Sequence, residues 1–183
     1  KQLDAIDRVN NSLDGLTLLK GIEVDILEDG SLDLPDDVLG RLDLVIGSVH
    51  SAFDLSRARQ SRRLLRAIDH PHFSVLGHPT TREIGKRPPI QADWLRVIRH
   101  ARQRGCFVEL NSQPKRLDLT DNLCHMAKDE GVLVAIDSDA HSTQDLDNLE
   151  GGVGQARRGW LSADDVLNSR SLRHLRPLLR RTM

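Results

Sequence analysis

Short apolar runs alternate along this chain with segments of helical periodicity, and this alternation constrains the fold more than any other feature. The apolar runs are predicted to be five β-strands, at residues 16–26, 42–50, 73–78, 106–110 and 132–137. The second run, LDLVIGSVH, is nearly continuous in apolar residues, which is typical of a parallel strand covered on both faces. Strand and helix alternation at this spacing predicts an α/β fold with parallel strands and about five βα units.

The segments around these strands carry helix signals. Pro35 followed by two acidic residues is a typical helix start, and Thr120 can cap another helix. Gly105 and Gly131 are typical helix ends. Helices are therefore predicted at residues 2–13, 35–42, 55–69, 91–104, 121–130, 162–169 and 171–181. Residues 79–90 hold three of the seven prolines and are predicted to form a long loop.

The length of the chain leaves two architectures open. A closed (βα)8 barrel needs about 250 residues, and 183 are present. The fold is therefore either an open sheet or the greater part of a barrel whose first strands lie upstream. The chain begins with Lys1, inside a helix-like segment, and we expect it to be part of a longer protein. Residues 1–183 are assigned to one domain, since no repeat, linker or low-complexity tract divides them.

Composition argues against several classes of function. Charged residues make up 29% of the chain and the formal net charge is −1, so nothing global indicates nucleic acid or a membrane surface. Aromatic content is 3%, which argues against stacking platforms for single-stranded nucleic acid. Cys106 and Cys124 lack CxxC spacing and are expected to be buried free thiols. No apolar run approaches the ~20 residues that span a bilayer, and we expect a cytoplasmic protein without a membrane partner.

Carboxylate and imidazole side chains lie at or just beyond the ends of the predicted strands. They are Glu23, His50, His78, Asp139 and His141. The C-terminal ends of parallel strands meet at one face of a sheet or barrel, where active sites form. Carboxylate and imidazole groups without thiolates suit Zn²⁺, Mn²⁺ or Fe²⁺. A metal-dependent hydrolase is therefore the first hypothesis.

Each of these residues also has a structural interpretation. Glu23 alone is more readily a helix-cap or salt-bridge residue, and a single histidine at a strand end is more often hydrogen-bonded in the core. The stretch DSDAH, residues 137–141, can instead be an Asx-rich turn that caps a helix. In an extended stretch, residues i and i+2 point to the same side, so Asp139 and His141 can reach one site, with Asp137 as a further acidic group.

The other histidines are weaker candidates. His70 and His72 precede a predicted strand, so they are expected in a surface turn at the face opposite the site. His100, His125 and His174 lie in predicted helices and are expected on solvated faces.

Basic loop residues offer the positive charge that a phosphate group needs. The candidates for substrate or phosphate binding are Arg82, Lys86, Arg87, Asn111, Lys115 and Arg116. Taken singly, each cation is more often a solvated loop residue. The predicted helix at 55–69 carries five arginines, which are either a solvated face or contacts to a phosphate backbone.

The hypothesis assigns a phosphoester chemistry to this site. Two divalent ions about 3.5–4 Å apart can clamp the attacking and leaving oxygens of a phosphoester displacement. The nucleophile would be a metal-activated hydroxide, because zinc lowers the pKa of its water ligand to about 7. Glu23 and Asp139 are then catalytic as well as metal-binding.

Six segments of the chain resemble the PHP (polymerase and histidinol phosphatase) family. They are GIEVDILEDGSLDLPDDVL, DLVIGSVHSAF, VLGHPT, ELNSQPKRLDL, AIDSDAHS and LDNLEGGVGQARRGWLSADDVLNS. The chain is most similar to the PHP domain at the C-terminus of bacterial and archaeal family X DNA polymerases, and the last segment is specific to this branch. Within that segment Trp160 is expected to be buried against the terminal helices.

The resemblance implies a distorted (βα)7 TIM-like barrel of the PHP type, incomplete at its N-terminus, with three metal ions, Zn or Mn, at the strand C-termini. By position, Glu23 resembles the carboxylate that bridges the first and second metals, and His50 and His78 resemble the other ligands of the second. Asp139 resembles a ligand of the first metal and His141 a ligand of the third. The family's first motif, an HxH, and further Asp and His ligands have no counterpart here, so fewer metals are expected.

The resemblance also implies a function. Members of this branch are Mn²⁺-dependent 3′–5′ exonucleases and DNA-end phosphoesterases, here expected to be joined to an upstream polymerase module and to act on DNA ends. A stand-alone phosphatase acting on phosphorylated small molecules is the second hypothesis. The missing ligands favour a third, a non-catalytic remnant with a structural or interaction role. A sheet that lacks its first strands also exposes an edge, which favours self-association.

Overall fold

Five parallel strands form one sheet in the computed structural model, which describes residues 1–179. Their bounds are β1 Gly21–Asp25, β2 Leu44–Ser48, β3 Val75–Leu76, β4 Phe107–Asn111 and β5 Val134–Asp137. Each strand pairs in parallel with the next one in sequence, so the order across the sheet is β1-β2-β3-β4-β5. This confirms the predicted α/β class with five parallel strands.

Helices connect the strands and follow the last one. They are α1 Gln2–Asn10, α2 Asp36–Leu39, α3 Arg57–Ile68, α4 Trp94–Arg104, α5 Asp121–Asp129, α6 Leu149–Arg158 and α7 Leu172–Leu179. Side-chain oxygens of Ser56, Asp93 and Thr120 accept backbone N–H groups in the first turns of α3, α4 and α5, which fixes where these helices begin. Gly105 ends α4 in the left-handed conformation, at φ +72°. No helix among residues 1–179 combines the length and the apolar character needed to cross a membrane.

Consecutive helices pack beside one another on the sheet. α3 contacts α4, α4 contacts α5, and α5 contacts α6. In a doubly wound open sheet helices cover both faces, whereas a barrel carries them as one outer layer. The main core between these helices and the sheet includes Val45, Leu64, Ile98, Val108 and Cys124. The arrangement is consistent with a TIM-like fold; within residues 1–179 no pairing joins β1 to β5, so the (βα)7 barrel stays a prediction.

The C-terminal segment covers the outer edge of β5. Val166 forms a parallel bridge with Val134. The Asn168 side chain accepts a hydrogen bond from the backbone N–H of Ile136 at 3.0 Å and donates one to its carbonyl oxygen at 2.6 Å. The predicted helix at 162–169 is therefore wrong: two short 3-10 turns, Ala163–Asp165 and Leu167–Ser169, flank an extended Val166. Pairing with the strand edge holds this segment out of a helix.

Two further expectations are corrected. The first strand begins at Gly21 rather than at residue 16, since the backbone N–H of Leu18 is bound by the side chain of Asn10. Trp160 is 75% exposed rather than buried, because it turns away from the end of α6 at φ +62°. Cys106 and Cys124 are buried free thiols, as predicted. The last residues of the predicted helix at 171–181 lie outside the described residues.

Candidate metal site

Three side chains from three strands converge at the C-terminal side of the sheet. Glu23 is the middle residue of β1, while His50 and His78 each follow the end of a strand by two residues. Glu23 Oε1 lies 3.1 Å from His78 Nε2 and 3.5 Å from His50 Nε2. The two Nε2 atoms are 3.2 Å apart. Within the described residues these three form the one group of His, Cys, Asp and Glu side chains spaced to hold a metal ion.

The spacing of these atoms fits a divalent ion. Metal–ligand bonds of about 2.0–2.1 Å at tetrahedral angles place neighbouring ligand atoms about 3.3 Å apart. The three distances, 3.1, 3.2 and 3.5 Å, bracket that value. Two imidazoles and one carboxylate are also a common ligand set for zinc and for neighbouring first-row ions. The residues present therefore fit a metal with at least one further coordination position.

Local sequence explains how β3 brings His78 so close to β2. A Cβ atom on Gly77 would lie 2.2 Å from Ser48 Oγ and 2.7 Å from a side-chain carbon of Ile46. Glycine is therefore required at position 77, where the chain passes over the end of β2. His78 itself is buried and has φ +23°, so its ring is held by a tight turn rather than by a regular strand.

His50 is oriented by a second carboxylate. Its Nδ1 atom lies 2.6 Å from Asp25 Oδ1, while its Nε2 faces Glu23. A carboxylate on the far nitrogen of a metal-binding histidine fixes its tautomer and ring orientation and raises its basicity. Asp25 thus holds His50 Nε2 in position to bind a metal ion.

The charges of the site are strongly coupled. Hydrogen bonds from His50 and His78 hold the pKa of Glu23 well below its usual range, so this carboxylate is ionised. The same contact with Glu23, helped by Asp25, raises the pKa of His50 to about 9. Without a metal ion, His50 is therefore protonated at neutral pH and carries the positive charge that faces Glu23.

Two more acidic residues line the site beneath the ligands. Glu109 of β4 is 5% exposed, and its carboxyl hydrogen-bonds the carboxyl of Asp137 at the end of β5. Burial and the negative charge of Asp137 raise the pKa of Glu109 well above its usual range. Burial also raises the pKa of Asp137, to about 6. Of the two carboxyl groups, Glu109 is therefore the one whose pKa is raised more strongly.

The other two predicted metal ligands lie near this group but outside it. Asp139 Oδ2 accepts a hydrogen bond from Asn111 Nδ2 at 3.0 Å, and Gln113 Nε2 donates to the Asp139 carbonyl oxygen at 2.8 Å. His141 is exposed, with its Nδ1 3.8 Å from Asp139 Oδ1. Metal binding by Asp139 and His141 stays a prediction, as does a substrate role for Asn111, whose amide is committed to Asp139.

Most of the predicted phosphate-binding cations already have partners. Arg82 Nε donates to the carbonyl oxygen of Arg116 at 2.7 Å. Lys86 and Arg87 both pair with Glu83, at 2.9 and 2.8 Å. Arg116 differs, because its Nε and Nη1 atoms are buried and have no hydrogen-bond partner among the described residues. Lys115, the residue before Arg116, is exposed. A role in substrate binding stays a prediction for all of these cations, and Arg116 has hydrogen-bond donors that no described residue uses.

The remaining histidines lie away from this group. His70 and His72 precede β3, at the opposite end of the strand from His78. His70 Nε2 pairs with Asp36 Oδ1 at 3.1 Å. His100 pairs with Asp69 at 2.9 Å, and His125 is exposed on α5. The structure therefore gathers His50 and His78 at the site and separates them from His70, His72, His100 and His125.

Two functional residues were not predicted. Asp25 stands two positions after Glu23 in β1, and the i, i+2 rule that joined Asp139 to His141 would have identified it. Glu109 is a charged residue inside the apolar run CFVEL, which is a signal for a special role. Its partners lie on other strands, so the sequence alone does not say what that role is.

Comparison with known proteins gives relatives that span most of this chain. The chain is 40% identical over 181 residues to the DNA polymerase/3'-5' exonuclease PolX of Bacillus subtilis, a match covering 99% of this chain and 32% of that protein. It is 32% identical to a probable phosphatase of Thermoanaerobacter sp., covering 86% of this chain and 66% of the relative. A probable phosphatase of Caldanaerobacter subterraneus is also 32% identical, with 79% and 59% covered.

These similarities support both a family and a class of reaction for this chain. No protein-family model matches the chain. The chain spans less than two thirds of the length of the curated relatives, and about a third of the polymerase. Relatives named as an exonuclease and as phosphatases nevertheless suggest a hydrolase that acts on phosphoesters. Together with the Glu23, His50 and His78 group, the homology supports a PHP-type family.

Proposed function

We propose that this chain is a metal-dependent phosphoesterase of the PHP type, the 3′–5′ exonuclease or DNA-end processing part of a family X DNA polymerase. The observation that carries the proposal is the convergence of Glu23, His50 and His78, with ligand atoms 3.1–3.5 Å apart. The 40% identity to PolX along 99% of the chain favours the exonuclease over other phosphoester chemistries.

Each group then has a defined task. Glu23, His50 and His78 would hold a Zn or Mn ion, and Asp139 and His141 would hold further ions in the complete domain. When bound, a divalent ion supplies Lewis acidity and lowers the pKa of a water ligand.

Other side chains orient these ligands or contact the substrate. Asp25 keeps the His50 ring in its binding orientation. Asn111 holds the carboxylate of Asp139, and Gln113 holds its backbone carbonyl. Arg116, with unpartnered guanidinium atoms, would contact the phosphate.

Hydrolysis of small phosphate monoesters is a second candidate. It is favoured by the relatives named probable phosphatases, which are 32% identical over most of this chain. A third candidate is a non-catalytic module, favoured by the position of Asp139 and His141 outside the three-residue group. The first two predict metal-dependent hydrolysis of different substrates, whereas the third predicts none. An upstream polymerase module and self-association through the sheet edge are further proposals that go with the first and third candidates.

Hydrolysis by the purified chain tests the proposal. The chain is incubated with Mn²⁺ or Zn²⁺ and either a 5′-labelled oligonucleotide or p-nitrophenyl phosphate, and bound metal is measured by elemental analysis. His50→Ala and His78→Ala are the test variants, and His125→Ala is the matched control, because His125 is an exposed histidine on α5. Both test variants should lose metal and at least about tenfold of the activity, while His125→Ala keeps both.

The products distinguish the candidates. A ladder of oligonucleotides shortened from the 3′ end supports the exonuclease, and turnover of p-nitrophenyl phosphate alone supports the monoesterase. Little bound metal and no hydrolysis, also in a chain extended upstream, would support the non-catalytic module. Activity that survives in His50→Ala and His78→Ala would contradict all assignments to this site.

A further inference from the structure

Two of the residues near the site are held in strained backbone conformations. His78 follows β3 at φ +23°, and Asp139 follows β5 at φ +47°. Positive φ values are uncommon for residues other than glycine, although Asp and His tolerate them better than most. Such strain persists only where surrounding interactions hold it in place. The backbone N–H groups of these two residues show which interactions do so.

Each strained residue donates its backbone N–H to a carboxyl group, which is buried at Glu109 and half-buried at Asp137. The N–H of His78 donates to Glu109 Oε2, and the N–H of Asp139 donates to Asp137 Oδ1 at 3.2 Å. Glu109 lies in the middle of β4, a strand that contains neither residue, so its contact reaches across the sheet to the end of β3. The contact from Asp137 is local, since it spans two residues.

The two acceptors are also joined to each other. β4 and β5 pair in parallel, with Glu109 opposite Ala135 and Asn111 opposite Asp137. Glu109 and Asp137 are thus diagonal neighbours on the same face, and their carboxyl groups form a hydrogen bond. An unbroken path of hydrogen bonds therefore runs from the backbone of His78, through Glu109 and Asp137, to the backbone of Asp139.

Stability alone does not explain this pair. Burying ionisable groups is costly, and replacing a buried polar pair by well-packed apolar residues is often neutral or stabilising. The neighbouring interior positions of the sheet are in fact apolar, with Val75, Phe107 and Ala135 on the same face. A pair of carboxyl groups at this one level indicates a role in the site directly above it.

We propose that Glu109 and Asp137 are positioning residues that set the distance between the ends of β3 and β5, and so place His78 and Asp139 for metal binding. The inference rests on the proposed metal site and extends it to the second layer. Glu109 is the more important of the two, because it connects two strands. The property required of both is acceptance of a backbone hydrogen bond, so a neutral amide should serve in place of either carboxyl.

Amide and apolar variants separate this role from a structural one. Glu109→Gln keeps an oxygen for the His78 N–H and gains an amide that can donate to Asp137, whereas Glu109→Leu keeps the volume and loses both. Val108→Ala is the matched control: Val108 is buried beside Glu109 in β4 but belongs to the helix-side core. Asp137→Asn and Asp137→Ala form a second pair of variants, should Glu109→Leu fail to fold.

Two measurements are made on every variant. Isothermal titration with Mn²⁺ gives the metal affinity, and amide NMR spectra of the metal-free protein report on the His78 and Asp139 N–H groups. We expect Glu109→Leu and Asp137→Ala to bind Mn²⁺ about 10–100-fold more weakly, as loss of an outer-layer partner does. Their spectra should show loss of the hydrogen-bonded amide shifts at residues 78 and 139. Glu109→Gln, Asp137→Asn and Val108→Ala should stay within about threefold of the parent affinity.

The outcomes distinguish the inference from the proposed function. Equal affinity and unchanged amide shifts in Glu109→Leu and Asp137→Ala would overturn the positioning role while leaving the metal site in place. Equal losses in Val108→Ala would also overturn it, since the effect would then be one of general stability. If the parent protein binds no Mn²⁺, the proposed function fails at this site, and the amide shifts alone decide whether the hydrogen-bonded path exists.

Discussion

Replacement of Arg63 by methionine should be among the most destabilising single changes in this protein. Arg63 lies in α3 and is 1% exposed. Its guanidinium group donates to three backbone carbonyl oxygens: that of Leu27 at 2.8 Å, that of Ser51 at 2.9 Å and that of Ile26. These carbonyls lie just after Asp25 in one loop and just after His50 in another. Arg63 therefore ties together the loops that carry two residues of the site.

The expected loss follows from the groups left without a donor. The Leu27 carbonyl also accepts from the backbone N–H of Gly30 at 2.9 Å, so it stays paired. The buried Ile26 carbonyl loses its charged donor, and a buried acceptor left unsatisfied costs about 1–3 kcal/mol. The Ser51 carbonyl is only partly buried, and it loses a hydrogen bond to a charged group, which is worth about 1.5–3 kcal/mol. Methionine retains the apolar stem. Arg63→Met should therefore lower the free energy of unfolding by about 2–6 kcal/mol, a large share of a total of about 5–15 kcal/mol.

Urea denaturation followed by circular dichroism measures this loss. With a slope of about 1–3 kcal/mol per molar urea, the midpoint should fall by about 1 M or more. Arg62→Met is the matched control, because Arg62 is the neighbouring residue in α3 and is exposed; its effect should stay within about 0.5 kcal/mol. A loss below about 1 kcal/mol in Arg63→Met, or equal losses in both variants, would refute the hydrogen-bond argument.

Three further predictions concern the site and the cysteines. Asp25→Asn should weaken Mn²⁺ binding about tenfold in calorimetry, because it frees the His50 ring. The control Asp37→Asn changes an exposed acid of α2 and should leave the affinity unchanged. Equal affinities of the two variants would contradict the role of Asp25. Because the pKa of His50 is raised from 6.5 to about 9, metal must displace a proton below that pH. Mn²⁺ affinity should thus rise with pH and level off near pH 9. The stabilisation that protonated His50 gives the metal-free protein is complete below pH 6.5 and should be lost as pH rises through 9. Metal affinity and stability that both stay constant between pH 6.5 and 9 would argue against the raised pKa of His50. Burial raises the pKa of Cys106 and Cys124 to about 12, so iodoacetamide at pH 8 should label neither thiol until urea unfolds the chain; mass spectrometry that finds label on the folded protein would disprove this.

Much of the fold could be predicted because its determinants are local. Apolar runs, helix caps such as Thr120 and the terminating Gly105 each act over a few residues, and each is visible in the sequence. The failure at residues 162–169 has the opposite cause. Val166 and Asn168 are held by β5, more than thirty residues earlier, and no local pattern reveals that pairing.

The residues of the site also differ in whether the sequence reveals them. Glu23, His50 and His78 could be identified because parallel strands bring their C-terminal ends to one face, whatever the details of packing. The groups that orient them were harder to find. Glu109 contacts the backbone of His78 across the sheet, and only the register of β3, β4 and β5 shows that these residues meet.

The phosphate-binding cations show why charges counted along a sequence overstate the positive potential of a site. Lys86 and Arg87 stand three and four residues after Glu83, and both pair with it. The guanidinium group of Arg82 donates hydrogen bonds to backbone carbonyl oxygens of the next loop. In the proposed phosphoesterase, the negative charge of the substrate must then be balanced mainly by bound metal, with Arg116 and the exposed Lys115 as the remaining candidate side chains. Metal affinity and phosphate affinity should therefore vary together, and the residues that orient Glu23, His50 and His78 should affect both.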